Sequence, residues 1–163
     1  MFEIRKASKD DFETVMSVYR IAQDYMIRSG NPTQWGHFYP EGELIESDIA
    51  EGICRVICDG TMIRGVFALI ENGEPLYRRI EGGVWLNDEP YLTIHRIASD
   101  GQAHGIVRCA ADHCKAMANN IRIDTHEDNR TMQKQLEKCG FVKCGTIYLA
   151  NGSPRIAYHW TAE

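Results

Sequence analysis

The stretch of sequence that decides the fold covers residues 91–107 and reads YLTIHRIASDGQAHGIV. Its first part, residues 91–98, is rich in β-branched and aromatic side chains and predicts a long strand. The segment Ser99-Asp100-Gly101 predicts a turn. A helix is predicted from about Ala103, because apolar residues then recur at helical spacing. The stretch therefore predicts a strand that passes into a helix through a glycine-containing loop.

The loop Gln102-Ala103-His104-Gly105-Ile106 could bind a diphosphate. The first N–H groups of a helix have no carbonyl partner within the helix, and the helix dipole favours an anion there. Gly105 would let a phosphate oxygen approach the backbone closely. The alternative is an ordinary strand-to-helix turn in which the glycine only relieves crowding. Neither G-x-x-x-x-G-K-[ST] nor G-x-G-x-x-G occurs in the chain, which excludes the P-loop and the dinucleotide fingerprint.

Composition limits the classes of protein to consider. The chain has 163 residues, which predicts a single domain over 1–163, and 18 Lys and Arg against 23 Asp and Glu give a net charge of −5. An acidic chain is a poor match for nucleic acid. We expect no membrane partner, because no apolar run approaches the ~18 residues of a spanning helix. A cytoplasmic location is expected, since the first residues lack a secretory segment.

The six cysteines predict no metal site. Their spacing is C-x3-C once and C-x4-C twice, without the C-x2-C pairs typical of zinc. They are interpreted as small buried hydrophobic residues. No metal cofactor is expected.

Outward from the deciding stretch, the pattern predicts the element order β-α-α-β-β-insert-β-α-β-α-β-β. Predicted strands cover residues 2–7, 53–58, 61–70, 91–98, 121–125, 141–149 and 155–160. Predicted helices run from Ser8 to about Arg28, from Pro40 to Gly52, from about Ala103, and from Asn129 to Cys139. Hairpins mixed with βαβ crossovers predict an α+β (mixed αβ) fold with a central mixed, mostly antiparallel sheet flanked by helices.

These features together resemble the GCN5-related N-acetyltransferase (GNAT) superfamily over nearly the whole chain. That family's [Q/R]-x-x-G-x-[G/A] loop binds the pyrophosphate of acetyl-CoA. Gln102 and Gly105 match its first two positions, and Val107 stands at the third. Downstream, Asn129 matches the family's asparagine, which contacts the pantetheine arm, and its helix ends in the matching pair Gly140-Phe141.

The resemblance implies acetyl-CoA as co-substrate and a set of residues that bind it. In the family, a backbone N–H on the central strand polarises the thioester carbonyl, which here falls near Ile97, Ala98 and Ser99. The implied cofactor-binding set is Ile97, Ala98, Ser99, Gln102, Ala103, His104, Gly105, Ile106, Val107 and Asn129.

The candidate catalytic residues follow from the chemistry of acetyl transfer, which needs a base for the amine and a proton for the departing thiolate. His95 is the first candidate base, because imidazole titrates near neutrality; alternatively, it is a polar strand residue bonded to a neighbouring carbonyl. Glu71 is the second candidate. Family members commonly protonate the thiolate with a tyrosine where this chain has Leu136, so Tyr148 or solvent is expected to do so.

Aromatic side chains are candidates for the acceptor pocket. They are Trp35, Tyr39, Trp85 and Tyr91. A small hydrophobic cluster that seals a long loop is an equal alternative.

The expected function is transfer of an acetyl group from acetyl-CoA to a primary amine of a small molecule, by direct attack in a ternary complex. The alternative is a non-catalytic acyl-CoA-binding or protein-interaction module, which Leu136 and Val107 favour. A homodimer is expected, and the sole basis for this is that small soluble proteins often form dimers.

Overall fold

The computed structural model describes all 163 residues. Its strands are β1 (Phe2–Lys6), β2 (Cys54–Asp59), β3 (Met62–Ile70), β4 (Leu92–Ser99), β5 (Asn120–Thr125), β6 (Val142–Tyr148) and β7 (Pro154–Thr161). Its α-helices are α1 (Phe12–Arg28), α2 (Gly42–Ala50), α3 (Ile106–Lys115) and α4 (Arg130–Lys138). Two 3₁₀ turns cover Lys9–Asp11 and Pro75–Arg78. The predicted order of helices and strands is confirmed.

The seven strands form one sheet in the order β1-β2-β3-β4-β5-β7-β6. All neighbouring pairs are antiparallel except β4 and β5, which are parallel because α3 carries the chain across the sheet between them. The α+β fold with a mixed, mostly antiparallel sheet is therefore confirmed.

The helices cover both faces of the sheet. On one face, α3 and α4 bury apolar residues such as Ile106, Ala110 and Leu136 against the strands. On the other face, Val15, Tyr19 and other residues of α1 pack with α2 on β2 and β3. The core thus lies in two layers, with the sheet between them.

The parallel pair is short, and this shapes the centre of the molecule. β4 and β5 pair at only two positions, Leu92 with Ile121 and Thr93 with Arg122, after which the two strands separate. β4 also carries a bulge opposite β3, where Arg96 adopts the left-handed conformation at φ 51°. The result is a V-shaped opening between the second half of β4 and β5.

Contacts on both sides of Arg96 hold the bulge. The Tyr19 hydroxyl donates to the carbonyl of Arg96 at 2.8 Å, and the Arg96 guanidinium forms an ion pair with Asp48 at 2.8 Å. Left-handed backbone in a non-glycine residue costs about 1–2 kcal/mol. Helices α1 and α2 therefore supply the contacts that stabilise the bend in β4.

Two helices begin later than the sequence predicts for a local reason. The N–H of Ser8 donates to Asp11 at 2.7 Å, but this capping box closes a 3₁₀ turn, so α1 begins at Phe12. α3 begins at Ile106 because Gly105, at φ 85°, precedes it in the left-handed conformation. The insert between β3 and β4 is mostly irregular chain. No helix is long and apolar enough to span a bilayer.

Candidate active site

A cleft of about 470 Å³ opens at the V between β4 and β5. Its walls come from the loop after α1, the diverging ends of β4 and β5, the N-terminus of α4, the 3₁₀ turn of the insert and the loop before β7. Polar groups from all of these segments converge there. Such convergence in one concave site is typical of a substrate pocket.

His95 and Glu74 form a hydrogen-bonded pair at this cleft. The distance from His95 Nε2 to Glu74 Oε2 is 2.9 Å, and each side chain is about four-fifths buried, with 21% and 20% exposed. The hydrogen bond from His95 lowers the pKa of Glu74, which is therefore a carboxylate at neutral pH. Nδ1 of His95 makes no hydrogen bond within the protein.

The position of Glu74 is set by the insert. Its carboxylate accepts from the N–H of Leu76 at 3.1 Å, which starts the 3₁₀ turn, and its own N–H donates to the Tyr91 hydroxyl at 3.0 Å. Sequence reasoning selected Glu71 instead and missed Glu74. The signal that could have found it is Pro75 directly after it, since an acidic residue before proline often caps a helical turn.

A second polar pair lies beside the first. The Tyr77 hydroxyl donates to Asp124 at 2.6 Å, and the centre of the Tyr77 ring lies 6.0 Å from that of His95. Tyr77 is fully buried, and burial raises its pKa well above the ordinary value. Asp124 thus lies on the cleft wall.

The loop after β4 presents a run of unpaired N–H groups. Side chains of Ser99 and Asp100 accept from the N–H groups of Gly101 and Gln102 at 3.0 and 2.8 Å. The next six backbone N–H groups, residues 103–108, have no acceptor in the protein. Such a loop with the helix start behind it suits an anion.

The first turn of α3 lies close to β3, and a glycine permits this. A Cβ at Gly65 would lie 2.7 Å from Ile106 Cγ2 and 3.3 Å from the carbonyl oxygen of Ala98. Val107 is half-buried and packs against the core under α3. The exposed residues of the loop are Gln102, His104 and Gly105.

Asn129 caps α4 and links it to the loop after α1. Its Oδ1 accepts from the N–H of Met132 at 3.1 Å, and its Nδ2 donates to Gln34 Oε1 at 2.9 Å. Further along the helix, Leu136 is 1% exposed and belongs to the core. The position that carries a tyrosine in many family members therefore has no proton to donate.

The predicted pocket aromatics divide into two groups. Trp35 and Tyr39 line the cleft, and the Trp35 ring lies between those of Tyr19 and Tyr39 at 5.8 and 6.1 Å. The structure does not bring Trp85 and Tyr91 to the cleft wall. Their rings instead enclose the guanidinium of Arg122, at 4.3 and 4.1 Å.

Two predicted catalytic residues also lie away from the cleft. Tyr148 lies under the Arg79 guanidinium at 5.0 Å, because β6 directs its side chain to the insert, and the nearby carboxylate of Glu81 raises its pKa. Glu71 is exposed beside a separate depression between the insert loops. Neither residue forms a hydrogen bond with His95 or Glu74.

The cysteines are free thiols, and five of the six are buried. Burial raises the pKa of Cys54 and of Cys114 to about 12. They are therefore protonated and unreactive at neutral pH. No group of three or more His, Cys, Asp or Glu side chains is arranged to hold a metal ion.

Comparison with solved structures identifies the class of enzyme. A GNAT-family acetyltransferase from Streptococcus agalactiae is 32% identical, with a TM-score of 0.90 over 99% of this chain and 96% of that one. A GNAT-family acetyltransferase from Listeria monocytogenes shares 18% identity, with a TM-score of 0.71 over 98% and 94% of the two chains. The ribosomal-protein-S18-alanine N-acetyltransferase from Escherichia coli shares 13%, with a TM-score of 0.62 over 99% and 94%.

The last two similarities show the fold alone, whereas the first also shows the family. No protein-family model and no curated protein sequence matches the chain. The fold and the full-length similarity define an acyltransferase. The chain belongs to the GNAT family of acetyltransferases, so the resemblance found in its sequence is confirmed.

Proposed function

We propose that this enzyme transfers an acetyl group from acetyl-CoA to a primary amine of a small molecule. The observation that carries the proposal is that three features lie on β4 or directly follow it. These are the separation of β4 from β5, the six unpaired N–H groups that follow β4, and the pair of His95 and Glu74.

The residues around the loop fit the cofactor. The N–H groups of residues 103–108 are the donors proposed for the pyrophosphate, with Gly105 allowing close approach. Past Thr93, the edge of β4 that faces β5 has no strand partner, and Ile97, Ala98 and Ser99 lie there. We assign them the contacts to the thioester and the pantetheine arm, together with Asn129 at the start of α4.

Acetyl-CoA, when bound, supplies an acetyl thioester that an amine can attack. The amine nitrogen forms a bond to the acetyl carbon, the carbon–sulfur bond breaks, and the ammonium proton must leave. Glu74 holds the Nε2–H of His95, so the lone pair for accepting that proton is on Nδ1, directly or through water. A backbone N–H of β4 is suited to stabilise the charge on the carbonyl oxygen. No acyl-enzyme is required.

Solvent is the proposed proton donor for the thiolate. Leu136 lies in the core and carries no proton, and Tyr148 is directed to Glu81. The cleft is open to water between the loop after α1 and the loop before β7. A thiol with an ordinary pKa of about 8.5 leaves as a stable thiolate, so no dedicated side chain is needed and solvent can protonate it afterwards.

The test follows release of free thiol from acetyl-CoA with a panel of primary amines, and measures acetyl-CoA binding separately by calorimetry. Thiol release that depends on the amine is expected. Binding without any release would favour the non-catalytic acyl-CoA-binding module. Absence of binding would contradict the assignment of the loop at residues 103–108.

A further inference from the structure

Arg155, near the start of β7, is a buried cation on the cleft wall. Only 6% of its surface is exposed. Its Nη1 donates to Ser153 Oγ at 2.7 Å and to the carbonyl of Pro154 at 2.8 Å, and its Nη2 reaches the carbonyl of Gln34 at 3.5 Å. Its Nε donates to no group in the protein. The guanidinium is thus held in place by neutral acceptors with donor capacity left over.

No carboxylate oxygen lies within 4.0 Å of this guanidinium. A buried cation without an anionic partner is unfavourable, because desolvation is not offset by an ion pair. Burial accordingly lowers the pKa of Arg155, and the negative charge of Asp124 acts in the opposite direction. A ligand carboxylate would supply the missing partner with two parallel hydrogen bonds.

Arg155 differs from the other arginines that could be compared with it. Arg96 also lines the cleft, but its charge is neutralised by Asp48. Arg55 and Arg122 are as deeply buried, with 9% and 5% exposed, but neither lines the cleft. Only Arg155 combines burial, an unpaired charge and a place on the cleft wall.

The same cleft carries the opposite charge on other segments. Glu74 comes from the insert and Asp124 from β5, and both are carboxylates on its wall. The cleft therefore offers anionic groups for an ammonium and one cationic group for a carboxylate. A volume of about 470 Å³ is enough for a small molecule that carries both charges.

Resting on the proposed acetyltransferase function, we infer that the acceptor is an amino acid or a similar small amino carboxylate. Arg155 binds its carboxylate, and its amine faces Glu74 and His95. Arg155 is then a specificity residue that touches the acceptor but takes no part in proton transfer. Arg155 makes the enzyme prefer free amino acids to simple amines and to the N-termini of peptides, because neither of these has a carboxylate at this place.

The test uses acceptors in matched sets of three. Each set contains an amino acid, its amide and the amine that lacks the carboxyl group, taken across the protein amino acids together with β-alanine and 4-aminobutyrate. Thiol release from acetyl-CoA gives kcat/KM for every acceptor. The carboxylate acceptor of at least one set should exceed its amide by about 10- to 100-fold, the effect of a charge-assisted hydrogen bond.

Arg155→Gln should lower this ratio of carboxylate to amide toward one, and Arg155→Lys should restore part of it. The matched control is Arg55→Gln, which removes an equally buried arginine outside the cleft and should keep the ratio of the wild type. Acetyl-CoA binding and the thermal midpoint report whether each variant is folded. If Arg155→Gln does not fold, Arg155→Lys is compared with the wild type. A lower ratio of carboxylate to amide in Arg155→Lys supports the role of Arg155, and an equal ratio contradicts it.

The outcomes separate the two proposals. Acetylation of amides or simple amines as fast as of amino acids overturns the carboxylate inference and leaves the acetyltransferase proposal standing. An unchanged ratio in a folded Arg155→Gln variant overturns the role of Arg155. Acetyl-CoA binding without acetylation of any amine overturns both.

Discussion

Glu74 Oε2 lies 2.9 Å from His95 Nε2, although 21 positions of chain separate the two residues. One comes from a 3₁₀ turn in the insert and the other from the central strand β4. The pair lies at the cleft where β4 separates from β5. Because the carboxylate of Glu74 accepts the Nε2–H of His95, the contact fixes the tautomer of the imidazole and leaves Nδ1 as the candidate base.

His95→Gln is expected to lower kcat/KM by about 100-fold or more, since general base catalysis commonly contributes 10²–10⁴. The pH dependence of the rate should change as well, because the candidate base is gone. The measurement is thiol release over a pH series. A variant with an unchanged rate and an unchanged pH profile would remove His95 from the mechanism.

Glu74→Gln keeps a hydrogen-bond acceptor for His95 but removes the charge. The native pKa of Glu74 is lowered by His95, so the wild type has the carboxylate throughout the neutral range. Loss of a charge-assisted hydrogen bond should lower kcat by about 10-fold or more. Steady-state kinetics give the result. A larger loss in Glu71→Gln than in Glu74→Gln would instead support Glu71, the second candidate base from the sequence.

Gly105→Ala tests the loop before α3. No atom lies within 4 Å of the added Cβ, so its effect is purely conformational, at φ 85°. Left-handed backbone costs about 1–2 kcal/mol for an L-residue. The free loop of the variant is expected to relax from this conformation and must return to it when acetyl-CoA binds, so affinity should fall by about 5- to 30-fold. Calorimetry gives the dissociation constant.

Gly60→Ala is the matched control. This hairpin glycine has φ 59°, and nothing lies within 4 Å of its Cβ position. The same backbone strain, about 1–2 kcal/mol, should lower the thermal midpoint of this variant without a change in acetyl-CoA affinity. Equal affinities for acetyl-CoA in both variants would speak against pyrophosphate binding at this loop.

Gly65→Ala tests the close approach of α3 to β3. The added Cβ would lie 2.7 Å from Ile106 Cγ2, so the first turn of α3 must shift. Overpacking of this kind costs about 1–3 kcal/mol. Urea unfolding should show this loss, and acetyl-CoA affinity should fall with it.

The double variant Gly65→Ala/Ile106→Ala provides the check on that mechanism. Ile106→Ala alone is expected to cost about 2–5 kcal/mol through a cavity. In the double variant the new methyl group occupies part of that cavity, so the combined loss should be smaller than the sum of the two single losses. Additive losses would show that the two side chains do not meet.

Stability should fall as the pH falls from about 6.5 to 4, and His159 should account for much of the loss. His159 is fully buried; the N–H of Leu86 donates to its Nδ1 at 3.1 Å, and its Nε2 lies 2.9 Å from Asn120 Oδ1. Burial lowers its pKa from 6.5 to about 4. Between these values the unfolded chain binds the proton and the folded chain does not, so acid favours unfolding by about 3 kcal/mol.

Urea unfolding at pH 7, 6, 5 and 4 measures this effect, with His159→Gln as the comparison. The glutamine can still accept from Leu86, and it does not titrate. The variant should be less stable at pH 7 and should lose less stability on acidification than the wild type. Parallel pH dependences in the two proteins would assign the acid sensitivity to other groups.

Much of the fold could be predicted from local sequence patterns. Hydrophobic periodicity and turn residues gave the order of the elements, because each depends on neighbours within a few positions. The helix starts were less accurate. Gly105 marks the start of α3 only when its positive φ is known, and the capping box at Ser8 suits a 3₁₀ turn as well as an α-helix.

The partners of the site residues could not be predicted in the same way. Glu71 and Glu74 are only three residues apart; Pro75 marks Glu74 as the start of a helical turn, but no local signal tells which of the two acids meets His95. The direction of the insert's 3₁₀ turn places Glu74 on His95 and leaves Glu71 in solvent. Trp85 and Tyr91 have the composition of pocket residues, but the buried cation of Arg122 holds both rings elsewhere.

The sequence by itself determined the class of fold, the loop of free N–H groups before α3, and the asparagine that begins α4. These follow from backbone geometry and from short-range hydrogen bonding, which a local stretch of chain specifies. Only the tertiary structure decided which acid meets His95, where β4 leaves β5, and that Arg155 lies unpaired on the cleft wall. Those properties arise from packing between segments far apart in the chain, because only that packing determines which side chains are buried and which charges are paired.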